Sequence, residues 1–144
     1  MNLTEHFTLE ELTATSHRQF DNTPNDAEMA NLVLLAEFLE QVKAALDGKP
    51  VMINSAFRSK QVNDSVGSKD TSQHRTGCAA DFKVPGLTPD TVVRAIIAAG
   101  LPYDQLIREF SDPVNGGGWT HVSIADKPRR QALIIDRQGT RPFA

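Results

Sequence analysis

The strongest pattern along the chain is helical. Met29, Leu32, Val33, Leu35, Ala36, Leu39, Val42 and Leu46 recur at the spacing that puts them on one helix face. Asn25 or Asp26 can cap the start, and Gly48 and Pro50 end it, so a long helix is predicted over 26–47. Before it, FTLEEL can begin a short helix with Thr8 as N-cap, and SHRQFDNTPND reads as a loop. After it, VMIN at 51–54 is a short β-prone run. CAADFKV at 78–84 reads as a second strand, with Ala79, Asp81 and Lys83 on one face and Ala80, Phe82 and Val84 on the other. Ser55 to Thr76 is polar throughout and reads as a long loop, and such loops in small domains are often functional.

A second helix is bracketed by Thr88 as N-cap, Pro89 at the first helical position and Gly100 just past the end. Val92, Val93, Ile96, Ile97 and Ala99 give it an apolar face. DQLIREF and WTHVSI are strand-like runs on either side of SDPVNGGG, and QALIID at 131–136 is a further strand. Strands grouped late in the chain predict an α+β fold, an antiparallel sheet with helices packed on it. No repeat, low-complexity tract or linker interrupts the pattern, so a single domain over 1–144 is expected.

Composition narrows the options. Hydrophobic residues make up 40% and charged residues 23%, as in ordinary globular chains. A net charge of −3 offers no basic field for nucleic acid. The single cysteine, Cys78, excludes an intramolecular disulfide. No apolar run is long enough to span a bilayer, and the acidic, amphipathic start MNLTEHFTLEEL is unlike a secretory signal. The expectation is a monomer, cytoplasmic as synthesised, with no nucleic-acid or membrane partner.

Candidate chemistry gathers in SQHRTGCAAD, which carries His74 and Asp81. Zinc accepts imidazole nitrogen and carboxylate oxygen, and a catalytic zinc usually takes three protein ligands plus water. A loop bending at Gly77 into a strand can bring His74 and Asp81 to one side. Of the other histidines, His121 sits mid-strand, sharing a face with Trp119 and Ser123, while Thr120, Val122 and Ile124 look like core. His6 and His17 have no carboxylate or strand arranged around them. Spacing alone leaves Asp81 open as a solvent-facing strand residue or a hydrogen-bond anchor. Cys78 is a possible thiolate ligand, but its odd offset from Asp81 sends it to the other strand face, so a small buried residue is expected.

Ser72 to Asp81 resembles the SxHxxGxAxD signature of the M15 zinc D-Ala-D-Ala peptidases, a family that includes cell-wall carboxypeptidases, dipeptidases and phage endolysins. Upstream, Ser55-Ala56-Phe57-Arg58-Ser59 resembles the family's S-G-Y/F-R-S element, and Asn63, Val66 and Gly67 resemble the N-x-x-V-G pattern of its phage-type branch. Downstream, Trp119 to Ser123 is similar to its W-x-H-x-S strand. The resemblance implies a hedgehog/DD-peptidase-like fold and zinc held by His74, Asp81 and His121. It implies substrate binding by Arg58, with Ser72 orienting the site. Some branches place a catalytic glutamate three residues before the last histidine, where this chain has Gly118. Glu109 is the replacement candidate, because Tyr103 to Glu109 resembles a glutamate-bearing strand of the phage-type branch. Asp112, in the Gly-rich connection, is a poorer one. The implied function is hydrolysis of peptidoglycan peptide bonds beside a D-amino acid, endolysin-like or D,D-carboxypeptidase-like, acting on the wall after release, for which a holin-type partner is one route. The competing readings are a non-catalytic zinc-containing module of a phage particle and a zinc enzyme for an unrelated small substrate.

Overall fold

Thr8 and Asn25 each start a helix by the same device. Each side chain accepts a hydrogen bond from the N–H three residues on, and the glutamate there, Glu11 or Glu28, accepts one back from the cap's own N–H. They open α1 (Leu9–Thr13) and α2 (Asp26–Ala45) in the computed structural model, which describes residues 1–143. The chain then forms β1 (Met52–Ser55), α3 (Lys60–Ser65), a 3-10 turn (Gln73–Thr76) and β2 (Ala79–Lys83). Next come α4 (Pro89–Ala98), β3 (Gln105–Asp112), β4 (Gly117–Ser123), β5 (Gln131–Asp136) and β6 (Gly139–Pro142). Thr88 caps α4 and Pro89 opens it, as its sequence predicts.

The six strands form one sheet in the order β1-β2-β4-β3-β5-β6. Leu32, Leu35 and Leu39 of α2 and Val92, Val93 and Ile96 of α4 share one buried core with Ala80, Phe82, Leu106 and Val122 of the strands. Because strand side chains alternate, the opposite face of β2, β3 and β4 carries Asp81, Glu109, Trp119 and His121, away from the helices. The α+β architecture is therefore as expected. Among the described residues, no helix is long and apolar enough to cross a membrane.

The sheet is mostly, not wholly, antiparallel, since β5 runs parallel to β3. The chain leaves β4 at the end of the sheet where β3 begins, so a strand starting there on the free side of β3 must run the same way. β6 was not anticipated. It returns from β5 through a tight turn at Arg137 and Gln138, and Arg141 donates to both carboxylate oxygens of Asp136 at 2.9 and 2.8 Å. The stretch 55–76 is not the plain loop its polarity implied. Ser59 caps α3, and the buried Asn63 donates to the Lys69 carbonyl at 2.9 Å, folding 63–69 back on itself.

Candidate metal centre

His74 is carried by the 3-10 turn, and that turn is tied on three sides. Ser72 caps it, its hydroxyl accepting from the His74 N–H at 3.3 Å. Arg75 pairs with Glu28, and Asn31 donates to the Thr76 carbonyl at 2.9 Å, which fastens the turn to α2. Gln73 donates to Asp104 at 2.9 Å, which fastens it to the start of β3. Gly77 ends the turn in the left-handed region, at φ 81°. A Cβ there would lie 3.0 Å from the Glu28 carbonyl, so both the angle and the space require glycine.

Asp81 and His121 meet by strand register, lying directly opposite each other on β2 and β4. Asp81 Oδ1 is 2.8 Å from His121 Nδ1, and Asp81 Oδ2 is 3.3 Å from His74 Nε2. One donor atom from each of the three residues lies within 4.8 Å of the others. The His74 and His121 rings are 5.2 Å apart between centroids and steeply inclined at 68°. His74 is buried, while Asp81 and His121 are 13% and 12% exposed, which leaves the cluster reachable from one side. Burial pushes the Asp81 carboxyl up, but hydrogen bonds from His121 and His74, with their charge, outweigh it and hold the group well below the usual carboxylate range.

The proton count in this cluster fits a cation. His74 Nδ1 lies 2.7 Å from the Ala56 carbonyl, which can only accept, so Nδ1 carries the hydrogen. In neutral His74 the Nε2 lone pair then faces an Asp81 carboxylate oxygen at 3.3 Å. Two acceptors confront each other unless a cation, either a proton or a metal ion, lies between them. The Ala56 contact is the backbone bond that commonly fixes the tautomer and orientation of a metal-bound histidine. The three residues could hold a metal ion, and their mixed nitrogen and oxygen donors suit zinc.

Arg58 lies beside this cluster. Its guanidinium is 3.7 Å from Asp81 Oδ2 and donates to Ser55 Oγ at 3.3 Å, and its backbone N–H donates to the His74 carbonyl at 2.9 Å. Glu109 pairs with Trp119 across β3 and β4, one same-face step from the Ile107 and His121 pair. It therefore shares the open face with His121, diagonal to it. Burial, and then the Asp81 charge, push the Glu109 carboxyl up, while His121, the Trp119 indole N–H and Arg58 pull the other way. That indole N–H is buried with no acceptor in full hydrogen-bond geometry, so a small movement would complete its bond to Glu109.

Position 118 cannot carry a glutamate in this backbone. Gly118 has φ 92°, and a Cβ there would sit 2.6 Å from the carbonyls of both Glu109 and Phe110. The crowding comes from a bulge in β3, where Phe110 takes φ 49°.

Other expectations fare unevenly. Cys78 is half-buried rather than buried, and it lies outside the three-residue cluster. Asp112 is held within its own turn by Val114 and Asn115. His6 does have a carboxylate beside it, with Nδ1 2.7 Å from Glu40 on α2. The Ala56 carbonyl and Asp104 escaped sequence reasoning, because a backbone acceptor leaves no side-chain signal and Asp104, though inside the run Tyr103 to Glu109, finds its partners Gln73 and Arg129 far away in sequence.

A family model described as Peptidase M15 matches residues 5–122. No curated protein matches the chain. The match takes in most of the chain, from the first helix to the β4 strand that bears His121, and the chain belongs to the peptidase M15 family.

Proposed function

We propose that this protein is a zinc-dependent peptidase that hydrolyses peptide bonds of bacterial peptidoglycan next to a D-amino acid, in the manner of an endolysin or a D,D-carboxypeptidase. The observation that carries the reading is the convergence of His74, Asp81 and His121, with His74 Nε2 turned toward a carboxylate oxygen of Asp81. A zinc ion held by these residues supplies Lewis acidity toward the scissile carbonyl and lowers the pKa of water toward about 7. The substrate class rests on the resemblance to the family's cell-wall enzymes.

The chain's own groups take the remaining roles. Glu109, on the open face beside the metal ligands, accepts a proton from the attacking water and returns it to the leaving amine. Its raised pKa suits a group that must both take and give that proton. Arg58 holds the substrate's carboxylate or carbonyl with its planar fork, and its contact with Asp81 keeps it beside the residues that would hold the metal. Ser72 acts through His74, by capping the turn that carries it.

A second reading, a zinc-holding module without hydrolysis, draws on Gly118, where part of the family has its glutamate. Purified cell walls incubated with zinc-loaded protein decide between them. Release of free amino groups by the wild type, lost in Glu109→Ala, is the expected result. No release by the wild type would overturn the enzyme reading, and full activity in the variant would overturn the role of Glu109.

A further inference from the structure

A groove of about 490 Å³ opens at the end of the sheet where β2 finishes and β4 begins. Met52, Asn54, Lys83, Gly118 and Trp119 are among the residues lining it. None of the candidate ligands lines it, and Phe82, Val84 and Val92 in its lining belong to the core, but the strands that carry Asp81 and His121 lead to it. Asp81 and His121 face each other in register, Phe82 and Thr120 are the next pair, and Lys83 and Trp119 are the residues just beyond. Lys83 shares a strand face with Asp81, two residues on, or about 7 Å along an extended strand.

The charge in this groove is one-sided. Among the described residues, Lys83 is the only charged one lining it, and no aspartate or glutamate does so. Lys83 is exposed and forms no ion pair among the described residues, its ammonium reaching only the Gly116 carbonyl at 3.4 Å. Other cations near the site are already engaged. Arg58 lies against Asp81, and Arg108 is paired with Asp90 and Asp136. Lys83 is thus a cation on the site's own face with no anion of its own, at the edge of a groove lined largely by apolar residues.

Resting on the peptidase reading above, we propose that Lys83 is a specificity-determining residue, and that the groove takes a segment of substrate peptide bearing a carboxylate. The anionic group sits one or two residues from the scissile bond, on the side away from the group Arg58 holds. An extended peptide advances about 3.4 Å per residue, which matches the offset between Asp81 and Lys83. Trp119 and Met52 give the backbone of that segment an apolar wall.

The test uses two synthetic D-alanine-containing peptides that differ only in one side chain, glutamate or glutamine, next to the scissile bond. Hydrolysis by the zinc-loaded full chain and equilibrium binding to its Glu109→Ala variant are both measured. The acid peptide should be favoured about fivefold in kcat/KM and in affinity, as expected for one partly solvated ion pair. Lys83→Met should erase the preference and Lys83→Glu should reverse it, with thermal melting confirming that both fold. Equal use of the two peptides, or a preference that survives Lys83→Met, overturns the proposal while leaving the peptidase reading intact. Preferential, Lys83-dependent binding without hydrolysis supports the groove and overturns the peptidase reading. Neither hydrolysis nor differential binding overturns both.

Discussion

His74 shows how much of a candidate metal centre is decided by one hydrogen bond. The Ala56 carbonyl accepts the hydrogen of Nδ1, and that choice turns Nε2 toward Asp81, where only a cation, a proton or a metal ion, can join the two. His74→Ala, Asp81→Asn and His121→Ala should each weaken zinc binding by more than the roughly 10- to 100-fold that loss of an outer hydrogen-bond partner causes. Equilibrium dialysis with metal analysis reads this directly, and wild-type affinity in any of the three would remove that residue from the ligand set. Glu109→Gln should keep the zinc and lower kcat by about 10²- to 10⁴-fold. The pH dependence has a definite sign. A base works only when deprotonated, and the Glu109 pKa lies above its ordinary 4.5. Activity should therefore fall as pH drops through an apparent pKa above that value. An acid limb at the same place in Glu109→Asp and wild type, or none in the wild type, would assign the titration to another group.

At the scale of elements, the site depends on a turn and a bulge. The bulge after Glu109 closes the space at Gly118, so a second carboxylate beside His121 cannot come from position 118, while Glu109 of β3 lies on the same face. Gly118→Ala should cost more than about 2 kcal/mol, because the positive φ and the carbonyl contacts act together. A denaturant midpoint unchanged from wild type would show that the backbone relaxes easily there. The turn bearing His74 depends on Asp104, whose buried carboxylate accepts from Gln73 at 2.9 Å and from Arg129 Nε and Nη2 at 3.0 and 2.7 Å. Hydrogen bonds from the Arg129 guanidinium lead in lowering its pKa to about 2, against 3.8 for an ordinary aspartate. A depressed pKa contributes stability above pH 4 that disappears as pH falls toward 2. Allowing for the exposed Arg129, the contribution is about 1–2 kcal/mol at neutral pH. Asp104→Asn should lose that amount at pH 7, and the gap to wild type should narrow steadily below pH 4 in denaturant titrations.

Across the whole molecule, what could be read from the sequence follows where its signals are local. Asn25 with Glu28, and Thr88 with Pro89, carry their helix starts in adjacent side chains, so α2 and α4 were legible. His74 and Asp81 were legible as a pair, because one motif holds both, and His121 because strand alternation separates it from the core residues Thr120 and Val122. α3 was hidden, since Val62 is its only buried apolar residue and Asn63 fills the other inward position. The parallel pairing of β5 with β3 was hidden too, because partner choice is set by chain routing rather than by any residue of QALIID. The distribution of the proposed ligands has a stability consequence. His74 lies on the turn tied to α2, Asp81 on β2 and His121 on β4, so a bound ion joins three separate segments. Free zinc at 100 times its dissociation constant should add about 2.7 kcal/mol, which raises the melting temperature by roughly 5–10 °C in a chain of this size. That shift should vanish on chelation and in Asp81→Asn, and its persistence in the variant would place the ion elsewhere.

The most direct test of the central claim is the release of amino groups from purified peptidoglycan, measured against the number of zinc ions bound per chain. Release that rises with zinc and levels off at one ion per chain is the predicted result. No release at any occupancy, or release undiminished after the zinc is removed, would contradict it.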